Sequence, residues 1–578
     1  MSSGSPVKSR SARVASVAPN RGRLTGKLQR LRQRDALVRI GICLLAAVAI
    51  WGVTRAWEPP FPFRSGYVSQ RDIVARVAFG VTDKDEKERE YEQGERLVKA
   101  GQPLSFRDIQ VLYTEHVAVN SKISLVEKIF YSLASFGIYG ALCTLCGFYI
   151  YTHDRSLYQD LRKLTTIMGT VVVTVAAAVF ASRDSWRAEC IPLVVFGMTL
   201  AIAHRREMAV LLSVVVSLLV TLSLKQSLGE FVILTTAVTV PILLLNRVRS
   251  RTKLIYIGMS AAVFTFLTVI VVGTLTGQTF GASHTTHISP ADGVETLSRL
   301  ESVTRLLSGA AWYAACVLLA GFLTTGLLPF IERLFDVQTD IRLLELGDAA
   351  HPLLQELARR APGTYNHSIS VASIAEPAAE AVGANGLQVR VGAYFHDIGK
   401  MLKPAYFIEN QGEGGNQHDS LLPAMSTLVI VAHVKDGVDL GRQHRLPPMI
   451  VDFVEQHHGT TLVEYFYRQA ERQNAEDPDG GEVDESRYRY PGPKPQTKES
   501  AVLMLADAAE SACRTLVEPT PARIENLVRT IAMKRLLDGQ FDDCELTLQQ
   551  LQRIEDSLVK SLTAVYHGRI VYPDQQTA

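Results

Sequence analysis

Cysteine is sparse in this chain, seven residues in 578, and so is charge, with 20% Asp, Glu, Lys and Arg against the ~25% usual in soluble domains. Seven thiols in so long a chain make no disulfide framework. Cys43, Cys143, Cys146, Cys190 and Cys316 fall in or beside apolar runs, where a thiol behaves as a small hydrophobe. The pair Cys143-x-x-Cys146 lacks the second pair that a zinc motif needs. Collagen repeats and a disordered composition are absent as well. An excess of one charge is also missing. Sixty Lys plus Arg oppose 58 Asp plus Glu, a net +2, so no global charge points to a nucleic-acid polymer as partner. What the chain does have is apolar sequence, 47% by the broad count, and a length that suggests roughly three or four domains.

The apolar residues gather in eight uncharged stretches: Ile40 to Thr54, Ile129 to Thr152, Leu164 to Ser182, Cys190 to Ala203, Met208 to Leu224, Phe231 to Asn246, Leu254 to about Leu275, and Leu306 to Ile331. Several reach the ~20 residues that span ~30 Å of hydrocarbon, whereas those starting at Ile40, Cys190, Met208 and Phe231 are short. Loop charge gives an independent check, because Lys and Arg near span ends stay on the cytoplasmic side. The first 39 residues carry ten Lys or Arg and one acid, Asp35. With that tail inside, the loops holding Arg155, Arg162 and Lys163, Arg205 and Arg206, and Arg247, Arg249, Arg251 and Lys253 are also inside. The opposite loops are balanced or acidic. A cleaved signal peptide is the rival reading of the first run, and the long basic tail and lack of a clear cleavage context weigh against it.

The pattern predicts an all-α, multi-pass membrane protein with about eight transmembrane helices. Its parts are a basic cytoplasmic tail (1–39), a first transmembrane helix (40–54), an extracytoplasmic module (55–128), a seven-helix membrane region (129–331) and a cytoplasmic domain (332–578). In the outer module, the charged run from Asp83 to Arg96 reads as a solvated helix and Lys99 to Gln102 as a turn. The cytoplasmic part reads as all-helical, because apolar residues recur at helical spacing, as in Ile524, Leu527, Val528 and Ile531. Asn474 to Ser500 interrupts it as a long polar loop.

That last part holds nine of the fourteen histidines. His396-Asp397 stands at the end of an apolar segment, followed by Ile398-Gly399-Lys400. On a helix, adjacent His and Asp lie about 100° apart and can both turn to one cation. His367 precedes the pair by 29 residues, and Asp507 follows in a helix from Ala501 to Cys513. A His, His-Asp, Asp set is the ligand pattern of HD phosphohydrolases. His433 and the pair His457-His458 extend it. With Asp397 as the bridge, one divalent metal would take His367, His396, Asp397 and Asp507, and a second would take Asp397, His433, His457 and His458. Nitrogen and oxygen donors suit iron or manganese. Any single histidine is more often a hydrogen-bonded core or surface residue, the reading kept for His351, His418, His444 and His567. Seven such groups are costly in an apolar core unless something binds them.

At this point the sequence resembles a known family. Thr339 to Leu346, Pro352-Leu353-Leu354, Ala361 to Ser368, Gly392 to Lys400, Phe453 to Thr460, Arg489 to Pro495 and Leu505-Ala506-Asp507 are similar to the HD domain of the bacterial seven-transmembrane HD proteins, the PgpH-type cyclic di-AMP phosphodiesterases. The membrane half agrees in layout. The resemblance implies hydrolysis of cyclic di-AMP to pApA at a two-metal centre of iron or manganese, with His367, His396, Asp397, His433, His457, His458 and Asp507 at the ligand positions. Two departures stand out: the outer segment is much shorter than the family's, and Pro377 falls inside the helix expected after His367, where it should kink the chain.

Two metals would lower the pKa of a bridging water and clamp the phosphate. His396 and Asp397 are read as catalytic. Lys400, three residues after Asp397, would share their helical face and reach a phosphate oxygen. Arg514 and Lys494 are weaker candidates for substrate contacts. The expected partners are a cyclic dinucleotide and the lipid bilayer, with no nucleic-acid polymer and with a homodimer left open. Two rivals remain. One is hydrolysis of cyclic di-GMP or another nucleotide, although the Gly-Tyr-Pro signature of that class is replaced by Thr460-Thr461-Leu462 after Gly459. The other is a receptor whose HD domain binds nucleotide without cleaving it.

Overall fold

The computed structural model describes residues 21–69, 71–82, 88–183, 186–245, 248, 250–278, 280, 299–411, 415–476 and 482–567, and it divides into two units, Met1–Val337 and Gln338–Ala578.

The first unit opens with helix α1 (Arg21–Val53), whose last part, Ala36–Val53, is apolar enough to enter a membrane. A small module follows. Strands β1 (Ile73–Val74) and β4 (Arg96–Val98) pair antiparallel, as do β2 (Phe79–Thr82) and β3 (Glu88–Tyr91), ahead of helix α2 (Phe106–Lys122). The helix expected over Asp83 to Arg96 is therefore corrected: 88–91 and 96–98 are strand, and 83–87 lie outside the described residues. Cross-strand contact decides the matter. Phe79 opposes Tyr91 in the register, and their rings stack at 5.1 Å. The module's core is Val98, Leu104 and Leu112, and Glu115 of α2 clasps Arg76 through two bonds of 2.9 Å. The expected turn is present, with Gly101 at φ +78°.

The remaining helices of this unit are α3 (Leu125–His153), α4 (Arg155–Gln159), α5 (Leu161–Ala181), α6 (Cys190–Ala203), α7 (Arg206–Ser223), α8 (Leu228–Leu244), α9 (Arg251–Thr276) and α10 (Arg299–Phe335). Capping boxes start α2, α3 and α8, with Ser105–Asp108, Ser124–Glu127 and Ser227–Glu230 satisfying orphan amides. Among the described residues six helices are long and apolar enough to cross a membrane, and α6 and α8 are shorter apolar helices. Six and two give the eight apolar stretches of the sequence. Helices α9 and α10 meet backbone to backbone, since a Cβ on Gly258 would stand 3.3 Å from Cα of Gly321, the close approach that small residues permit between membrane helices.

The second unit is helical: α11 (Asp340–Leu346), α12 (Pro352–Arg360), α13 (Pro362–Ala381), α14 (Gly386–Phe395), α15 (Pro423–Gln443), α16 (Pro448–Gln456), α17 (Glu464–Ala475), α18 (Lys498–Arg514), α19 (Pro521–Leu537) and α20 (Leu548–His567), with short 3-10 turns between α14 and α15 and before α18. One core of residues such as Val371, Val391, Phe395, Phe453, Leu503 and Ile554 joins these helices. Helix α13 runs through Pro377 without interruption in its span.

Candidate metal centre

Five helices, with the turns that follow two of them, bring the seven expected ligands together. His367 lies in the second turn of α13, His433 in mid α15 and Asp507 in mid α18. His396 ends α14, and Asp397 leads into a 3-10 turn, Ile398–Leu402. His457 likewise ends α16. The sequence reading placed His396, Asp397 and Lys400 on one helix. That is corrected here, because α14 stops at Phe395 and Lys400 belongs to the 3-10 turn.

Glycines permit this crowding. A Cβ on Gly399 would sit 1.9 Å from the carbonyl oxygen of His433, and one on Gly392 would sit 2.4 Å from the Phe453 ring. The turn after His457-His458 needs Gly459, whose φ is +53°.

Asp397 faces both halves of the cluster. Its Oδ2 lies 3.2 Å from His396 Nε2 and 3.7 Å from His367 Nε2, while Oδ1 lies 3.4 Å from His433 Nε2 and 3.5 Å from His457 Nε2. Asp507 Oδ1 is 2.9 Å from His367 Nε2 and 3.7 Å from His396 Nε2. His458 Nδ1 is 3.9 Å from Asp507 Oδ2. The ligand atoms fall into two groups, His367, His396 and Asp507 in one, and Asp397, His433, His457 and His458 in the other, each within 4.8 Å.

The outer nitrogens define the proton positions. Nδ1 of His396, His433 and His457 points at the carbonyls of Ala393, Ile430 and Val454, at 2.7 Å and 2.9 Å for the first and last. A carbonyl only accepts, so each Nδ1 carries the hydrogen and each Nε2 of a neutral ring presents a lone pair. His433 and His457 then aim two lone pairs at each other across 3.4 Å. His396 Nε2 and Asp397 Oδ1 are buried without a hydrogen-bond partner. Lone pairs converging on lone pairs in a dry site call for a cation, and the donor set fits a divalent ion that accepts nitrogen and oxygen.

The electrostatics agree. Burial pushes His433 down to about 3 and holds His458 well below the usual histidine range, which leaves both neutral and able to ligate. Burial also pulls His396 down, but the carboxylates of Asp397 and Asp507 outweigh it and raise the group to about 10. The pocket thus demands positive charge at that point. Burial would raise Asp397, yet His396 and Lys400 beside it hold it well below the ordinary carboxylate range.

Residues 129–339 match the family described as 7TM receptor with intracellular HD hydrolase, and residues 364–512 match the family described as HD domain. The second unit is an HD domain. The family expected from the motifs is the one found. The chain is 46% identical over 279 residues to a protein of Bacillus subtilis (strain 168) named Cyclic-di-AMP phosphodiesterase PgpH, a match covering 48% of this chain and 38% of that protein. It is 47% identical over 257 residues to the Listeria monocytogenes serotype 1/2a (strain 10403S) protein of the same name, covering 44% and 35%. The chain thus spans little more than a third of the length of the curated relatives it matches. A crystal structure of the L. monocytogenes phosphodiesterase PgpH HD domain in complex with cyclic-di-AMP is 46% identical, covers 38% of this chain and 100% of that one, and has a TM-score of 0.36.

In this HD domain Lys400 Nζ is bound on two sides, 2.7 Å from Asp397 Oδ2 and 3.0 Å from Glu409 Oε1. Burial would lower it, but those carboxylates raise it further above the usual lysine range. Arg514, expected at a phosphate, directs its guanidinium to Glu510 Oε1 at 2.7 Å. Lys494, expected to close over a nucleotide, pairs with Asp542 at 3.1 Å.

Three contributors escaped the sequence reading. Glu510 Oε2 accepts from His367 Nδ1 at 2.6 Å, and its place three residues after Asp507 on one helix was the available signal. Glu409 holds Lys400 and accepts from Thr364 Oγ1 at 3.0 Å. Tyr490 stacks on His458 with centroids 4.3 Å apart. Glu409 carries no local sequence signal, whereas Tyr490 lies in the Arg489 to Pro495 motif.

Proposed function

We propose that this HD domain is a metal-dependent phosphodiesterase that hydrolyses cyclic di-AMP to pApA, with two divalent ions, iron or manganese. The observation that carries the reading is the division of Asp397, one oxygen toward His367 and His396 and the other toward His433 and His457. The names of the relatives supply the adenine dinucleotide. Bound there, two such ions would neutralise phosphate oxygens and lower the pKa of a water between them.

The chain's own residues do the rest. Four of the five imidazole rings, those of His367, His396, His433 and His457, are held in one tautomer by Nδ1 bonds, so their lone pairs are oriented before substrate arrives. Lys400 has three N–H groups, two of them directed to Asp397 and Glu409, which leaves one for a phosphate oxygen. Asp397 and Asp507 stay ionised, so neither serves as a proton donor at neutral pH. The burial of His396 and His457, both essentially inaccessible, would strengthen charge interactions at the phosphate.

The loop charges support an inner-membrane protein with the HD domain in the cytoplasm. A reporter at the C terminus should be cytoplasmic and one near Gln93 external. Finding both on one side would reject that orientation.

The decisive assay uses the full-length protein, reconstituted with Fe²⁺ or Mn²⁺ and given cyclic di-AMP and cyclic di-GMP. Conversion of the first to pApA is the expected result. Cleavage of the guanine dinucleotide alone, or tight binding without any product, would overturn the proposal.

A further inference from the structure

Basic side chains near the metal centre are mostly matched by carboxylates. Lys400 meets Asp397 and Glu409, Arg489 meets Asp538 and Glu485, Arg514 meets Glu510, and Lys534 meets Glu464. Arg535 differs. Among the described residues no ion pair or hydrogen bond engages its guanidinium, and its Nε is buried with no partner. Asp507 of the ligand set, Asp538, Glu464 and Tyr490, which stacks on His458, act on it through space without pairing with it.

Its place is built rather than accidental. Arg535 sits near the end of α19, and its carbonyl accepts from Gln540 N at 3.0 Å. Gln540 is fully buried. Its Oε1 accepts from Thr460 N at 3.0 Å and its Nε2 donates to Thr460 Oγ1 at 2.9 Å. Thr460 belongs to the turn that follows His457-His458. Arg489 ties the same turn to Asp538, donating to the Thr460 carbonyl at 2.8 Å and to Asp538 Oδ1 at 3.0 Å. Tyr490 N completes the stitching by donating to the Thr461 carbonyl at 3.0 Å. Packing is tight here, because a Cβ on Gly459 would come within 2.3 Å of Gln540 Oε1. The end of α19 is thereby fixed to the turn that carries two of the ligands.

We propose that Arg535 is the anion seat for the phosphodiester that is not being cleaved. The proposal rests on the phosphodiesterase reading above. A cyclic dinucleotide carries two phosphodiesters on opposite sides of its ring. When one is at the ligand set, the other either stays in water or meets a cation. A guanidinium is planar, always charged and weakly hydrated, and it matches two phosphate oxygens at once. Arg535 offers such a fork with no carboxylate in ion-pair contact, although Asp507, Asp538 and Glu464 act on it through space, and leaving its Nε buried and unsatisfied costs stability that a bound phosphate would recover. The seat would favour ligands with two phosphodiesters, or a phosphodiester and a terminal phosphate, over esters with one.

The test compares full-length wild-type protein with Arg535→Met and Arg535→Lys on cyclic di-AMP and on bis(p-nitrophenyl) phosphate, which has a single phosphodiester. Metal content is measured alongside. The expected result is a fall of roughly 10- to 100-fold in the ratio of kcat/KM for the dinucleotide over the small diester in Arg535→Met, the size of one lost charged hydrogen-bonding group. It should appear in KM, with partial recovery in Arg535→Lys and metal content as in wild type. An unchanged ratio overturns the seat while the phosphodiesterase reading stands. Parallel loss of both activities together with metal also overturns it, since Arg535 would then be structural. Wild-type protein inactive on cyclic di-AMP would remove both proposals together.

Discussion

Glu510 accepts a 2.6 Å hydrogen bond from His367 Nδ1 while Arg514 grips its other oxygen. A carboxylate behind a ligating imidazole fixes the ring and raises its basicity. Glu510→Gln should therefore weaken metal binding by roughly 10- to 100-fold. A metal titration of stripped protein checks this, and activity should return at high metal concentration. Equal affinity in mutant and wild type would reduce the contact to simple packing.

Asp397 offers one oxygen to each ligand group. Asp397→Ala should lower occupancy at both positions and abolish turnover, with membrane insertion unaffected. Elemental analysis showing full loss of one ion and full retention of the other would contradict its shared role.

Lys400 touches Asp397 at 2.7 Å. Lys400→Met removes a positive charge beside a metal ligand, so cation affinity should hold or rise. If the third N–H steadies phosphate charge that develops in the transition state, kcat should nonetheless drop by about 10²-fold with little change in KM. A rate equal to wild type would leave Lys400 only its ion pairs.

Gly399 leaves no room for a side chain, since a Cβ would lie 1.9 Å from the His433 carbonyl and 2.6 Å from Gly437 N. Gly399→Ala must push two backbones apart, with a cost of about 1–3 kcal/mol or more. Thermal unfolding should register this as a lower Tm, and His433 should lose its place in the centre. An unchanged Tm would mean that the two segments separate freely.

The convergence of the candidate ligands was readable because six of the seven sit in short motifs, Asn366-His367-Ser368, His396-Asp397, His457-His458-Gly459 and Ala506-Asp507, and His433 joined them as a further histidine of the same helical domain. The membrane helices were readable because hydrocarbon imposes one length and one composition. What could not be read depends on contacts between distant positions. Glu88-Arg89-Glu90-Tyr91 has the composition of a solvated helix, and it is pairing with Phe79–Thr82, with Phe79 stacked on Tyr91, that makes it a strand. Lys400 looked free until Glu409 closed on it. Arg535 carries no motif, and its setting depends on Gln540 reaching Thr460, 80 residues away.

The meeting of Gly399 with the His433 carbonyl also bears on ion choice. Because main chain rests on main chain there, the place of His433 relative to the Asp397 turn is set by backbone contact rather than by adjustable rotamers. The centre therefore resembles a caliper with a locked jaw. An ion that suited the spacing of Asp397 and His433 would be held there without adjustment, whereas a larger ion such as Ca²⁺ would have to push the two segments apart.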